Sequence, residues 1–302
     1  MNYEGPGGKD LLSLIHSAKE SGQPIIWDGA VGTQLIARGL TGKAPEFWNL
    51  ERPDVISQIH ADYLAAGAQV VQTNTFGGNR YKLETSGLEN RLEDVNSKAA
   101  ELARSVCPDQ CFVAGDIGPT GRMLVPSGDL SADDAEDAFA QQAGALLKGG
   151  VDLFSIETMF DLDELKAALR GVRRVSDLPV VAHMTFQKTR RGFFTIMGVS
   201  PEAAVKGMED AGADVVGSNC TIGMADMVEL IREMNLVAGK PLIAQANAGE
   251  PELKGGDTIY HDTPENFAAF ARALFEAGAS AIGSCCGTTP EFTRAIKSKF
   301  PS

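Results

Sequence analysis

No stretch of about 18 consecutive apolar residues occurs in this chain of 302 residues, so nothing in it qualifies as a membrane-spanning helix. Basic side chains are scarce. Against 40 Asp and Glu there are only 27 Lys and Arg, a formal net charge of -13, and such a balance excludes a phosphate backbone as the expected partner. The N-terminal "MNYEGPGGKD" lacks the basic and apolar blocks of a secretory leader. Low-complexity tracts and long linkers are absent as well. Cysteine is rare and odd in number, with five residues at positions 107, 111, 220, 285 and 286, which argues against a disulfide framework. Together these absences point to a reducing, cytoplasmic setting. What remains is 43% hydrophobic and 22% charged, the balance of an ordinary globular protein with a large core.

Four stretches share one pattern: "YLAAGAQVVQTN" (63–74), "LLKGGVDLFSIE" (146–157), "MEDAGADVVGSN" (208–219) and "LFEAGASAIGSC" (274–285). Each closes an amphipathic helical pattern, turns through a glycine, and enters a short apolar run suited to a buried parallel strand. Four more apolar runs fill the gaps: "PIIWDGA" (24–30), "CFVAGDIGP" (111–119), "PVVAHMTF" (179–186) and "PLIAQANAG" (241–249). Eight buried strands alternating with helices predict an α/β fold, a (β/α)8 TIM barrel formed as a single domain over residues 1–302. A doubly wound open sheet is the alternative.

In a barrel, reactive residues gather where strands end at the C-terminal face. The ends of the eight runs are polar: Asp28, Asn74, Asp116, Glu157, Thr185, Cys220, Asn247, and Cys285 with Cys286. Three of the five cysteines thus belong to one rim, at the sixth and eighth strands, which flank the seventh. Adjacent cysteines do not readily bridge each other, because disulfide geometry strains a single trans peptide. Three thiols converging on one volume instead describe a zinc site with a free fourth position, although each alone reads as a small buried hydrophobe. Cys107 and Cys111, in "VCPDQCF", read as a turn leading into a strand. Three thiolates leave Zn2+ with a net charge of about -1, a weak activator of water but a good holder of a further anionic sulfur. The chemistry favoured is alkyl transfer to a thiol.

The motifs "DGAVGTQL" (28–35), "TNTF" (73–76), "SIET" (155–158), "GSNC" (217–220), "QANAG" (245–249) and "GSCCGTTP" (283–290) together resemble the homocysteine S-methyltransferase family. The resemblance runs from about residue 24 to about residue 295. It implies that Cys220, Cys285 and Cys286 hold Zn2+ and that homocysteine adds its thiolate, with Asn247 a possible ligand before substrate arrives. It places Asp28, Gly29 and Ala30 near the substrate carboxylate and Glu157 near its ammonium, making Glu157 and Asp28 the candidate catalytic residues. Asn74 and Asp116 are candidate substrate contacts or supporting polar groups, and His183 is expected to serve the core. Ser284 departs from the double glycine that often precedes the cysteines in the family, so altered packing beside the metal is expected.

The methyl donor is the open question. No Asp-x-His-x-x-Gly corrinoid-binding motif occurs, so the expected donor is a separate methylcorrinoid protein. The alternative is a small onium compound such as betaine or S-methylmethionine, held by aromatics among Phe76, Trp48 and Tyr260. A basic and aromatic stretch over 187–198, with Arg190, Arg191, Phe193 and Phe194, reads as a lid, a docking face or an exposed loop. A non-catalytic zinc-binding barrel or a barrel lyase is the reading from another class.

Overall fold

The computed structural model describes residues 11–255 and 257–301; the N-terminal stretch on which the absence of a leader was read lies outside them. Among the described residues twelve strands follow in chain order: β1 (Ile25–Ile26), β2 (Val70–Gln72), β3 (Phe112–Ile117), β4 (Leu153–Met159), β5 (Val180–Met184), β6 (Gln187–Thr189), β7 (Gly192–Phe194), β8 (Val215–Asn219), β9 (Leu242–Ala246), β10 (Glu252–Lys254), β11 (Asp257–Ile259) and β12 (Ala279–Ser284). Eight of them form one sheet in the order β1-β12-β9-β8-β5-β4-β3-β2, with every pairing parallel. The sheet closes on itself through a parallel bridge between Trp27 and Val70, flanked by Gln69 N donating to Ile26 O (2.7 Å) and Asp28 N to Val70 O (3.1 Å). This is the TIM barrel expected from the eight apolar runs, and not an open sheet.

The repeated unit folds as its pattern suggests. Gly67, Gly150, Gly212 and Gly278 follow the helices Pro53–Ala65, Ala132–Lys148, Pro201–Asp210 and Ala271–Ala277 with φ of 106°, 89°, 92° and 127°. Residues with a Cβ resist that region, so glycine there lets each helix stop and the chain turn into the next strand. Two hairpins were not resolved by periodicity: β6–β7 after the fifth barrel strand and β10–β11 after the seventh, both antiparallel. The first barrel strand is also shorter than its apolar run, with a two-residue ladder extended by the Trp27 bridge.

Side chains along a strand alternate between the barrel interior and the helical layer. One alternation, with Val71, Val113, Phe154, Ile156, Ala182, Val216, Ala244 and Ile282, packs outward in the large core shared with the helices. The other alternation fills the interior. Its lower layers are apolar, with Trp27, Val70, Phe112, Ala114, Leu153, Val181, Val215, Ile243 and Ala281 in one cluster that Leu11 and Ile15 of the helix Leu11–Ser21 join. Moving two to four residues towards the C-terminal face turns the same rows polar: Gln72, Asp116, Ser155, Glu157, His183, Asn219 and Gln245 are all buried. The lower barrel is therefore packed core, and the upper barrel is a polar chamber floored by it.

One buried group of the helical layer gives the fold a pH dependence of known sign. His60, fully buried in the helix Pro53–Ala65 with neither ring nitrogen hydrogen-bonded, is pushed by desolvation down to about 4. The unfolded chain takes up this proton below about pH 6.5 and the folded chain does not. The stability linked to His60 is thus present above that pH and is lost as pH falls towards 4. Replacing the ring by an apolar side chain in His60→Leu removes the linkage. Between pH 7 and pH 5 the variant is expected to gain about 2 kcal/mol on the parent protein in denaturant titrations; equal pH dependence of the two would show the ring to be protonated when folded.

Candidate active site

Cys220 leaves the end of β8, and Cys285 and Cys286 leave the end of β12, on either side of β9. Backbone bonds tie both loops to that middle strand: Cys220 N donates to Gln245 O (2.9 Å), Cys285 N to Ala246 O (2.7 Å), and Ala248 N to Cys286 O (3.0 Å). Cys220 and Thr221 take φ of 61° and 64°, a left-handed conformation costly for residues with a Cβ and most of all for a β-branched one. That turn directs the Cys220 thiol across β9. The three sulfurs lie within 4.8 Å of one another, with Cys220 Sγ 3.8 Å and Cys285 Sγ 3.9 Å from Cys286 Sγ. Cys107 and Cys111 are elsewhere, in the turn before β3, where their thiols approach the carbonyls of Pro108 and Ala68.

The thiols are electrostatically one unit. Hydrogen bonds from Cys220 and Cys285, and one from the Tyr260 hydroxyl, hold Cys286 down to about 3 against the cost of burial. A hydrogen bond involving Cys285 pulls Cys220 down, but its bond to Cys286 and burial outweigh this and lift it to about 12, and Cys285 is raised by its bonds to both neighbours. The three thiols thus titrate as one coupled set. The donor set suits a soft metal ion such as zinc. A further observation fits: Asn247 Oδ1, on the loop leaving β9, is buried without a hydrogen-bond partner, an acceptor left for another group.

Across the chamber lies a group of buried carboxyls. Asp28 is pushed well above the usual carboxylate range, first by desolvation and then by the Glu157 charge, although Gln72 N donates to its Oδ2 (2.7 Å). Asp116 is raised by burial and by the charges of Glu157, Asp28 and Glu46, and its Oδ1 is buried without a partner. Burial lifts Glu157 to about 7, opposed by the hydrogen bond from Gln72. No Lys or Arg among the described residues pairs with Asp28, Asp116 or Glu157. Buried carboxyls without a cation are costly, so burial drives these groups towards their neutral forms and a positive charge beside them would be favoured. Asp116 and Glu157 lie within β3 and β4, one and two residues before the strand ends, rather than after them.

Asn74 serves the wall of the mouth. Its Nδ2 donates to Pro45 O (2.7 Å) and Asn49 Oδ1 (2.8 Å), which anchors the segment Pro45–Glu51. His183 hydrogen-bonds Ile156 O through Nδ1 (3.2 Å), and its buried Nε2 is unpartnered. Of the three aromatics considered for an onium pocket, Tyr260 lies against the thiols, whereas Trp48 packs edge-on against Phe47 and the Phe76 ring lies over Gly118. The stretch 187–198 is the exposed β6–β7 hairpin: Lys188 pairs with Asp226 and Glu229, Phe193 is buried, and Arg191 stacks over Phe194. A cavity of about 620 Å3 lined by Gln187, Arg190, Arg191 and Ile196 runs along it.

Ser284 joins a hydroxyl chain behind the cysteines. Its Oγ donates to Thr288 Oγ1 (3.0 Å), which donates to Cys285 O (2.6 Å) and accepts a long bond from Ala30 N (3.3 Å). The thiol loop is thereby fastened to the loop Asp28-Gly29-Ala30, and no side chain fits between them. A Cβ on Gly29 would stand 2.6 Å from Ser284 Oγ and 2.7 Å from Thr288 Oγ1. Gly29→Ala is expected to cost about 1–3 kcal/mol in chemical denaturation through overpacking. Adding Ser284→Gly should restore part of the loss, because it removes one of the two clashing hydroxyls; strictly additive effects would contradict the contact.

The homocysteine S-methyltransferase family profile matches residues 25–300. The chain is 36% identical to the methionine synthase of Mycobacterium tuberculosis over 307 residues, covering 95% of this chain and 25% of that protein. It is likewise 36% identical to the methionine synthase of Mycobacterium leprae over 292 residues, covering 90% of this chain and 24% of that protein. The chain therefore spans about a quarter of the length of these relatives. The metallated form of the homocysteine methyltransferase MmuM from Escherichia coli superposes with a TM-score of 0.77 at 23% identity, over 91% of this chain and 96% of that one. The carboxyl transferase domain of Rhizobium etli pyruvate carboxylase with pyruvate, 15% identical, has a TM-score of 0.51 over 98% of this chain and 52% of that one. These likenesses agree with the barrel, and the profile match across nearly its whole length shows that the chain belongs to the homocysteine S-methyltransferase family.

Proposed function

We propose that this barrel is a zinc-dependent methyltransferase that converts homocysteine to methionine, taking the methyl group from a methylcorrinoid carried by a separate protein. The observation that carries the reading is the pairing of three converging thiols with a buried, cation-free set of carboxyls in one chamber. Homocysteine has the matching halves: a thiol at one end, and an ammonium with a carboxylate at the other. Zinc held by Cys220, Cys285 and Cys286, with Asn247 as a fourth donor before substrate arrives, would keep the homocysteine sulfur deprotonated at neutral pH yet nucleophilic.

The chain's own residues orient the substrate. Glu157 receives the ammonium, which replaces the missing cation beside it. Asp28, with its pKa raised by burial, and the backbone of Gly29 and Ala30 take the substrate carboxylate, the acid in its protonated form donating rather than repelling. Asp116 and Asn74 complete the wall. Fixing the amino-acid end leaves the sulfur one direction of approach, which converts methyl transfer into a reaction between held partners. The sulfur lone pair then forms the S–CH3 bond while the methyl-to-donor bond breaks and its electron pair leaves with the donor.

The methionine synthase relatives, four times longer than this chain, support a donor carried outside the barrel. Tyr260 beside Cys286 favours a second reading, direct transfer from betaine or S-methylmethionine, because an aromatic face attracts an onium methyl. Zinc-loaded protein supplied with homocysteine should form methionine from methylcobalamin, and turnover with betaine or S-methylmethionine alone would overturn the corrinoid version. Cys285→Ala is expected to lose stoichiometric zinc and methionine formation while keeping its far-ultraviolet circular dichroism. Retained zinc with normal turnover would refute the assignment of the thiols.

A further inference from the structure

Glu157 is held by amides, and their direction is set by groups that only donate. Its Oε2 accepts from Gln72 Nε2 (3.2 Å) and from Asn219 Nδ2 (3.0 Å). An amide can ordinarily be turned end for end, but neither of these can. Gln72 Oε1 accepts from the indole Nε1 of Trp27 (2.7 Å), and Asn219 Oδ1 accepts from the backbone N–H of Thr158 (2.8 Å). An indole and a backbone N–H have no acceptor to offer, so each amide must present its NH2 to the carboxylate. Gln245 Nε2 also donates to Gln72 Oε1 (3.2 Å), reinforcing that orientation from β9. Thr158 is at φ 59°, and the bond from its N–H to Asn219 lies at that strained turn.

Both donors go to the same oxygen. Among the described residues none hydrogen-bonds Glu157 Oε1, which is not sealed from solvent as the buried unpartnered atoms are. The carboxylate is thus saturated on one side and open on the other. Gln72 further donates its backbone N–H to Asp28 Oδ2 (2.7 Å), so one residue sets the positions of both carboxyls assigned to the amino-acid end of the substrate. The donors are neutral. A lysine or arginine in their place would fix Glu157 equally well but would cancel the charge that the ligand ammonium needs.

We propose that Gln72 and Asn219 are positioning residues that pin Glu157 Oε2, so that Oε1 alone meets the α-ammonium of homocysteine and the amino group becomes a specificity determinant. This rests on the reading of Glu157 as the ammonium contact. The probes are L-homocysteine and 4-mercaptobutyrate, the same thiol acid without the amino group, titrated calorimetrically into zinc-loaded protein. Gln72→Met removes the amide at nearly constant length. It is expected to weaken homocysteine binding about 10-fold or more, the usual effect of losing a hydrogen bond to a charged group, while leaving 4-mercaptobutyrate affinity and zinc content unchanged. Trp27→Phe, which frees the Gln72 amide to turn, should weaken homocysteine in the same selective way by a smaller factor and stands in should Gln72→Met not fold. Glu157→Gln is the reference. If it abolishes the preference for homocysteine while Gln72→Met and Trp27→Phe leave that preference intact, or weaken both thiols equally, the positioning role is wrong and the ammonium contact stands. If Glu157→Gln itself keeps the full preference, the ammonium contact is wrong.

Discussion

Strand β9 is the interaction on which the site depends. Its carbonyls at Gln245 and Ala246 accept the backbone N–H groups of Cys220 and Cys285, and the loop beyond it bonds back to Cys286. Thiols separated by 65 residues in sequence, as Cys220 and Cys285 are, meet because the two strands that carry them pair with the same neighbour. The register of a parallel ladder is rigid over distances of this size, which is what a metal site requires: ligands held by elements rather than by loop tips. The left-handed turn at Cys220 and Thr221 and the hydroxyl chain from Ser284 through Thr288 finish the placement from either side.

The same alternation that packs the barrel divides it. Rows that are Val, Leu and Ile near the bottom continue, two to four residues later, as Gln, Asp, Ser, Glu, His and Asn. A charged group so placed depends on the apolar floor below it, because the low-dielectric surroundings that raise Asp28, Asp116 and Glu157 also strengthen any ammonium bound among them. Thiols collect on the β8–β12 side and carboxyls on the β1–β4 side. The substrate of this family is a short chain with a sulfur at one end and a zwitterion at the other, and the chamber has the same polarity.

Much of this was legible in the sequence, for physical reasons that can be named. Gly67, Gly150, Gly212 and Gly278 marked the repeat because a left-handed helix stop leaves a residue signature. Cys220, Cys285 and Cys286 stood out because thiols are rare in this chain and these fell at matching strand ends. Gln72 did not, although it bonds to Trp27, Asp28, Glu157 and Gln245; a glutamine closing an apolar run looks like an ordinary turn residue until the closed barrel turns it inward. Asn219 was overshadowed by the cysteine after it, and its role depends on an amide direction that only tertiary neighbours impose. The β10–β11 hairpin leads into Tyr260, and its first strand, Glu252–Lys254, is wholly exposed, so no buried face announced it. Ser284 gave no sign of the hydroxyl chain it joins, which needed the meeting of loops more than 250 residues apart.

The central claim is that Cys220, Cys285 and Cys286 hold zinc and leave a place for the homocysteine sulfur. Zinc K-edge absorption of the loaded protein, with and without selenohomocysteine, tests it most directly. Three sulfur neighbours in the free protein, joined by one selenium neighbour on addition of the ligand, is the expected result. Fewer than three sulfurs, or a metal whose surroundings do not change when the ligand binds, would contradict it.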